Sequence, residues 1–178
     1  SKILEFSLLA EYDFFSLQEK RFTPYVFAGL GIFGFDPYTT DTLGTRYYLQ
    51  PLSTEGQGLS IDPSNKPYHR VQPSIPFGLG IKLRVTENVI LGYEVGMRKT
   101  FTDYLDDVST DYPDLDVLRQ RVGEKAVEMS YRRPYPFKEN GEHRGNSKIK
   151  DSYLYSTLKL AINLDRFSKV KNYRRNDF

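Results

Sequence analysis

Ser74-Ile75-Pro76-Phe77-Gly78-Leu79-Gly80-Ile81-Lys82-Leu83-Arg84-Val85 alternates apolar and polar residues along its whole length. Ile75, Phe77, Leu79, Ile81, Leu83 and Val85 fall on one side, and Ser74, Pro76, Gly78, Gly80, Lys82 and Arg84 on the other. That period of two is the signature of a β-strand. Thr86-Glu87-Asn88 follows as a tight turn, and Val89 to Thr100 then repeats the pattern. There Val89, Leu91, Tyr93, Val95 and Met97 oppose Ile90, Gly92, Glu94, Gly96, Arg98 and Thr100, so the two runs read as a hairpin. Outward from this hairpin, Lys2 to Phe14 sets Leu4, Phe6, Leu8, Ala10, Tyr12 and Phe14 against Glu5, Ser7, Leu9, Glu11 and Asp13. Asp151 to Leu164 sets Leu154, Ser156, Leu158, Leu160, Ile162 and Leu164 against Tyr153, Tyr155, Thr157, Lys159, Ala161 and Asn163. A further strand, Phe22 to Phe35, carries Val26, Ala28, Leu30 and Ile32 on the apolar side, with Tyr25 and Phe27 interrupting the polar side. Pro24 stands near its start, where a missing donor is tolerated.

Each run is about the 9 to 11 residues that a tilted strand needs to cross a bilayer. An antiparallel soluble sheet or a lipocalin-like barrel alternates equally well, because periodicity does not say which face is wet. Glycine position separates the two readings. On a solvated face glycine is a poor strand residue, whereas in a narrow lumen it makes room for long charged neighbours. Here the glycines share a face with Lys82, Arg84, Glu94 and Arg98. The reading is therefore an all-β, antiparallel transmembrane β-barrel, with a lumen charge network of Glu5, Glu11, Lys82, Arg84, Glu94 and Arg98. Across a narrow interior these groups are expected to pair, since an unpaired buried ion costs several kcal/mol.

Composition is consistent with this. The 178 residues contain no Cys and no Trp but 14 Tyr and 12 Phe, which removes disulfide and thiol chemistry from consideration. Mean hydropathy is negative. No run of about 18 apolar residues exists to form a transmembrane helix, while a barrel, exposing only alternate residues to lipid, escapes a hydropathy average. A net charge of +2, with basic and acidic residues mixed along most of the chain, gives no reason to invoke nucleic acid.

The connections alternate short, long, short, long. Ser16 to Arg21 and Thr86 to Asn88 are turns, and residues 36–72 and 101–150 are long loops. Bacterial outer-membrane barrels place short turns in the periplasm and long loops outside the cell. Five strands beginning with a descending one require an odd number upstream, and three more make a barrel of eight. Ser1, at the threshold of a strand without an initiator Met, reads as the start of an incomplete chain whose secretory signal lay upstream. The expected organisation is a partial outer-membrane barrel over 1–164 and a periplasmic tail over 165–178.

The loop 36–72 shows no apolar period and reads as irregular. The loop 101–150 contains one expected helix from about Asp114, with Leu115, Leu118, Val122, Ala126 and Met129 at spacings of three and four and Gly123 weakening it. Its stripe suits either packing over the barrel mouth or a partner. Asp103, Asp106, Asp107, Asp111, Asp114 and Asp116 form an acidic cluster that could bind calcium but lacks EF-hand spacing; helix capping by Asp114 and loop solubility account for most of it. His69 and His143 sit in loops without a recognisable nucleophile pairing, His69 with Ser74 being the nearest approach to one. Gly29-Leu30-Gly31 and Gly78-Leu79-Gly80 lie inside strands, where their backbone donors are not free for phosphate. No catalytic, cofactor-binding or metal-ligating residue is assigned. Tyr12, Phe14, Phe15 and Phe22 at one end, and Phe35, Tyr38 and Phe101 at the other, suit interfacial aromatic girdles. The tail places Arg166, Phe167, Lys169, Lys171, Tyr173, Arg174, Arg175 and Phe178 together, a composition that suits a solvated tail or a docking segment for a periplasmic partner.

Pro24-Tyr25-Val26-Phe27-Ala28-Gly29-Leu30-Gly31, Leu52-Ser53-Thr54-Glu55-Gly56-Gln57-Gly58, Pro76 to Lys82, and Gly92 to Arg98 continuing into Thr100-Phe101-Thr102-Asp103-Tyr104-Leu105-Asp106-Asp107-Val108-Ser109 together resemble PorG-like outer-membrane barrels of Bacteroidota. The glycine pieces are common to many barrels, whereas the segments around Glu55 and Asp107 are more specific. The resemblance implies a non-enzymatic component of the type IX secretion and gliding machinery. Its implied partners are outer-membrane lipid, a periplasmic ring lipoprotein of the PorK/GldK type and that lipoprotein's PorN/GldN-type partner. The alternatives kept beside it are an autonomous OmpA-like structural or adhesive barrel and a lipid-modifying barrel enzyme.

Overall fold

The computed structural model describes residues 1–59, 65–136 and 141–164. β1 (Lys2–Asp13) and β2 (Phe22–Asp36) are followed by two short strands, β3 (Tyr38–Thr40) and β4 (Arg46–Tyr48), and then by β5 (Val71–Arg84) and β6 (Val89–Thr100). Helices α1 (Leu115–Arg121) and α2 (Glu124–Ser130) precede β7 (Ser152–Ile162). The long strands form one five-stranded sheet in the order β1-β2-β5-β6-β7, and β3 pairs with β4 alone. Bonds from Phe35 N to Arg70 O and from Arg84 N to Arg21 O run β2 and β5 antiparallel. Thr100 N to Asp151 O and Asn163 N to Asn88 O do the same for β6 and β7. The fold is thus mostly antiparallel and all-β, with two short helices among the described residues.

Turn chemistry explains the short connections. Between β1 and β2, the Thr23 hydroxyl accepts from Phe15 N at 2.9 Å and donates to Pro24 O at 3.0 Å, closing the turn at its base. Between β5 and β6, Val85 N and Thr86 N both donate to Val89 O, and Thr86 Oγ1 accepts from Asn88 N.

Each strand divides its side chains as the alternation requires. Leu4, Phe6, Leu8, Leu30, Leu79, Leu154 and Leu158 stand exposed on one face, Leu158 at 84%. In β2 the opposite face is not merely polar: Tyr25, Phe27, Phe33 and Phe35 are all buried. Tyr25 and Phe27, which interrupt the pattern in sequence, belong there because glycines of the neighbouring strand leave room for their rings. The expected girdle is corrected at two places. Phe35 is buried, stacked on Tyr68 with ring centres 5.9 Å apart. Tyr38 lies in β3, outside the five-stranded sheet.

The chain divides into two compact units. One comprises Ser1–Phe6, Gly31–Ser74 and Lys99–Asp151, and the other Ser7–Leu30, Ile75–Arg98 and the segment from Ser152. In the first unit, the described part of residues 36–72 is not wholly irregular. It holds the β3–β4 hairpin and a short 3-10 turn, Gln50–Leu52. The single helix expected from Asp114 is two. Asp114 caps α1, its carboxylate accepting from Asp116 N at 2.9 Å and Val117 N at 3.1 Å. Gly123, at φ +120°, then breaks the run before α2, because it adopts a backbone that only glycine enters readily. The apolar stripe survives the break. Leu118, Ala126 and Val127 form a buried cluster against Leu52 and Leu59, so the stripe is internal packing within this unit.

Candidate functional site

Among the described residues, each unit contains a polar assembly. In the second unit all five strands of the sheet contribute to a single charge network. Glu94 of β6 is its centre, with its side chain almost fully buried. The Tyr25 hydroxyl from β2 and the Tyr155 hydroxyl from β7 each donate to its carboxylate at 2.7 Å, and Lys159 of β7 forms an ion pair with it. Lys159 Nζ also lies 3.1 Å from Glu11 Oε1 of β1. Lys82 Nζ of β5 closes the chain, 2.8 Å from both Glu11 Oε2 and Asp13 Oδ1. The Arg98 guanidinium stands over the Tyr155 ring at 4.1 Å, and Lys82 over the Tyr25 ring at 4.5 Å.

The Lys159–Glu11 contact has a geometric consequence. β7 and β1 are the opposite edges of the sheet, and four strand spacings of about 4.8 Å would hold them roughly 19 Å apart if it were flat. Side chains standing off a flat sheet do not bridge that distance. The sheet is therefore strongly curled, with the network on its concave face.

Of the network read from sequence, Glu11, Lys82 and Glu94 are joined by described ion pairs. Arg98 reaches it through Tyr155. Arg84 lies half-buried at the end of β5, beyond Lys82, and Glu5 belongs to the first unit. Lys159, Asp13, Tyr25 and Tyr155 are members that the sequence reading did not name in the network. Lys159 and Asp13 stood on the correct faces in sequence, but alternation places a residue on a face without naming its partner. Chemically the arrangement compensates charge: every carboxylate of the chain from Glu94 to Asp13 meets an ammonium or a phenol.

In the first unit a second assembly surrounds Asp107 and Glu55, both buried. Backbone turning at Ser53, Gly56 and Gly58, all at positive φ, carries residues 53–58 past the segment that holds Asp107, itself at φ 66°. Asp107 Oδ1 accepts from the Tyr68 hydroxyl at 2.6 Å, and Oδ2 accepts from the Thr54 hydroxyl. Glu55 accepts from Ser109 N at 2.8 Å, Thr110 N at 3.0 Å and Thr110 Oγ1 at 2.7 Å. Arg144 Nη1 lies 3.3 Å from Glu55 Oε1 and donates to Thr54 Oγ1 and to Asp107 O. Tyr68 stacks on Tyr104 with ring centres 4.4 Å apart. Burial, reinforced by the nearby Glu55 charge, pushes the Asp107 carboxyl up to about 6 against the pull of its hydroxyl donors and Arg144. The two sequence segments singled out as specific thus meet in one buried node.

His69 is exposed, while Ser74 is buried and its hydroxyl has no hydrogen-bond partner among the described residues, so the two form no nucleophile–base pair. His143 pairs with Asp111 at the surface, beside a cleft lined by Ser109, Thr110, Ser147 and Lys148. Among the described residues no hydroxyl is bonded to its ring. Asp103 is buried and Asp106 exposed, and no group of three or more His, Asp or Glu residues has metal-holding geometry among the described residues. The candidates Arg166, Phe167, Lys169, Lys171, Tyr173, Arg174, Arg175 and Phe178 lie outside the described residues. A family model described as a domain of unknown function (DUF6089) matches residues 1–126. No curated protein and no solved structure matches the chain.

Proposed function

Starting from the membership of this chain in the DUF6089 family, to which it belongs over residues 1–126, we propose that it supplies five strands of an outer-membrane β-barrel that performs no catalysis and anchors a periplasmic secretion ring. One observation carries the membrane reading: one face of the curled sheet exposes apolar side chains, while the other gathers the charged groups beside buried aromatic rings. Leu4, Phe6, Leu8, Leu30, Leu79, Leu154 and Leu158 stand exposed on one. Carboxylates, ammonium groups and phenols bond to each other on the other. So much continuous apolar surface on a water-exposed sheet would drive association, whereas lipid covers it without cost. In lipid the edges β1 and β7 cannot stay unpaired, so further strands complete the ring. The short turns then face the periplasm and the long connections the outside.

The role in a type IX secretion system, with a PorK/GldK-type lipoprotein and its PorN/GldN-type partner as neighbours, rests on the resemblance to PorG-like barrels. Its test is affinity copurification of the native barrel with those ring components. Deleting residues 165–178 should leave insertion intact and reduce recovery of the ring, while deleting residues 36–72 should not. Full recovery after the tail deletion, with loss after the loop deletion, would overturn the partner face. A second reading, an autonomous OmpA-like barrel acting through its long loops, is favoured by one feature: the first unit has its own buried cluster and its own polar node. A lone barrel without ring components would select it.

A further inference from the structure

The β3–β4 hairpin presents two unlike faces. Pairing is Tyr38 with Tyr48, Thr39 with Tyr47 and Thr40 with Arg46, so Tyr38, Thr40, Arg46 and Tyr48 share one face and Thr39 and Tyr47 the other. The second face is fastened to the rest of its unit. Lys125 of α2 stands over the Tyr47 ring at 4.9 Å, and Arg132 bonds to Thr39 Oγ1 and, at 2.9 Å, to Thr40 O. The base is closed by Leu49 N to Pro37 O at 2.9 Å. The tip is held by Asp41, whose Oδ1 accepts from Leu43 N and Thr45 N, each at 2.9 Å.

What this rigid frame displays is the first face. Tyr38 and Tyr48 meet edge to face at 6.4 Å, and the Arg46 guanidinium lies over the Tyr38 ring at 4.3 Å. Tyr48 and Arg46 are exposed, and Leu43 at the tip is 89% exposed. Among the described residues no carboxylate pairs with Arg46, whose guanidinium rests on a ring. Two tyrosines, an arginine and an apolar tip on a braced hairpin match the residue types and the preorganisation of binding hot spots, where rigid aromatic anchors lose little entropy.

We propose that this face of the hairpin docks an acidic, apolar-containing peptide segment of a partner protein. Apolar side chains of that segment cover the Tyr38 and Tyr48 rings and Leu43, and a carboxylate pairs with Arg46. Charge complementarity selects this occupant: the guanidinium is already placed against an aromatic plane, which leaves its outward edge for a planar anion.

The test uses the full chain in detergent micelles and a phage-displayed library of random peptides as probe. Peptides carrying Asp or Glu beside apolar residues should be enriched, and the best of them should lose at least about tenfold affinity with Arg46→Glu or Tyr48→Ala and weaken as salt is raised. Arg46→Lys should retain part of the binding. Absence of a consensus, a neutral or basic consensus, or affinity unmoved by Arg46→Glu would overturn the proposal. So would a self-association in sedimentation that Arg46→Glu abolishes, since the occupant would then be a second copy, or a requirement for added lipid. None of these outcomes depends on barrel closure or on ring copurification, so failure here leaves the proposed function standing.

Discussion

A Cβ atom on Gly80 would lie 2.5 Å from two ring carbons of Tyr25, a separation that no real side chain adopts. The ring of β2 occupies the space that β5 leaves by having glycine there, and the same relationship recurs between Gly96 and Tyr155. Both phenols so accommodated donate to Glu94. Glycine on this face is therefore what allows the central carboxylate its two neutral donors.

Gly80→Ala should consequently destabilise the sheet by about 1 to 3 kcal/mol through overpacking. Tyr25→Leu, which withdraws the ring, should recover part of that loss when combined with it. Urea unfolding in micelles measures both, and an additive double variant would show that the contact carries no strain.

Glu94→Ala removes the acceptor of two phenols and one partner of Lys159. Because Lys159 keeps Glu11 and is itself partly exposed, the expected cost is about 2 to 3 kcal/mol, below that of a fully buried broken pair. A cycle with Lys159→Met should show coupling of about 0.5 to 3 kcal/mol. Zero coupling would mean the pair is incidental.

Leu91, on the exposed face of β6, and Arg98, on the opposite face, report on what surrounds the sheet. Leu91→Arg should cost about 2 to 4 kcal/mol in a bilayer if the residue lies near its midplane. In labelling experiments Leu91→Cys should react with a lipid-phase probe and be shielded from an aqueous one. The reverse result, together with lipid-phase labelling of Arg98→Cys, would turn the barrel inside out.

Asp107 makes the stability of the first unit depend on pH. Its carboxyl titrates near 6 when folded, above the ordinary value of 3.8, so folding favours the protonated form. That contribution is full below pH 4 and lost as pH rises through 6, and by linkage amounts to at most about 3 kcal/mol. Burial likewise raises the Asp103 and Asp151 carboxyls, which add in the same direction. Asp107→Asn suits the site, since asparagine tolerates the positive φ there. It should flatten most of the change in protease resistance of residues 99–151 between pH 4 and 7. An unaltered profile in this variant would assign the dependence to other groups.

How much of this was legible in the chain follows from what alternation encodes. A period of two survives in any strand with unlike faces, so the five long strands of the sheet, their exposed and buried sides and the turns between them could be read directly, with ends displaced by a few residues. Asp114 as a helix cap and Gly123 as a weak point were local signals too, and both appear in the structure. The β3–β4 hairpin was missed because three-residue strands are too short to display a period.

The antiparallel all-β fold and the residues sharing each face were readable from the chain, since these depend only on neighbours along one strand. The partners came from tertiary structure: Lys159 reaches Glu11 across the curled sheet, Tyr25 and Tyr155 bond Glu94, and Glu55 and Asp107 meet in one node. The physical reason is that a carboxylate's partner depends on sheet curvature and loop closure between segments as many as 148 positions apart, quantities that no local spacing contains.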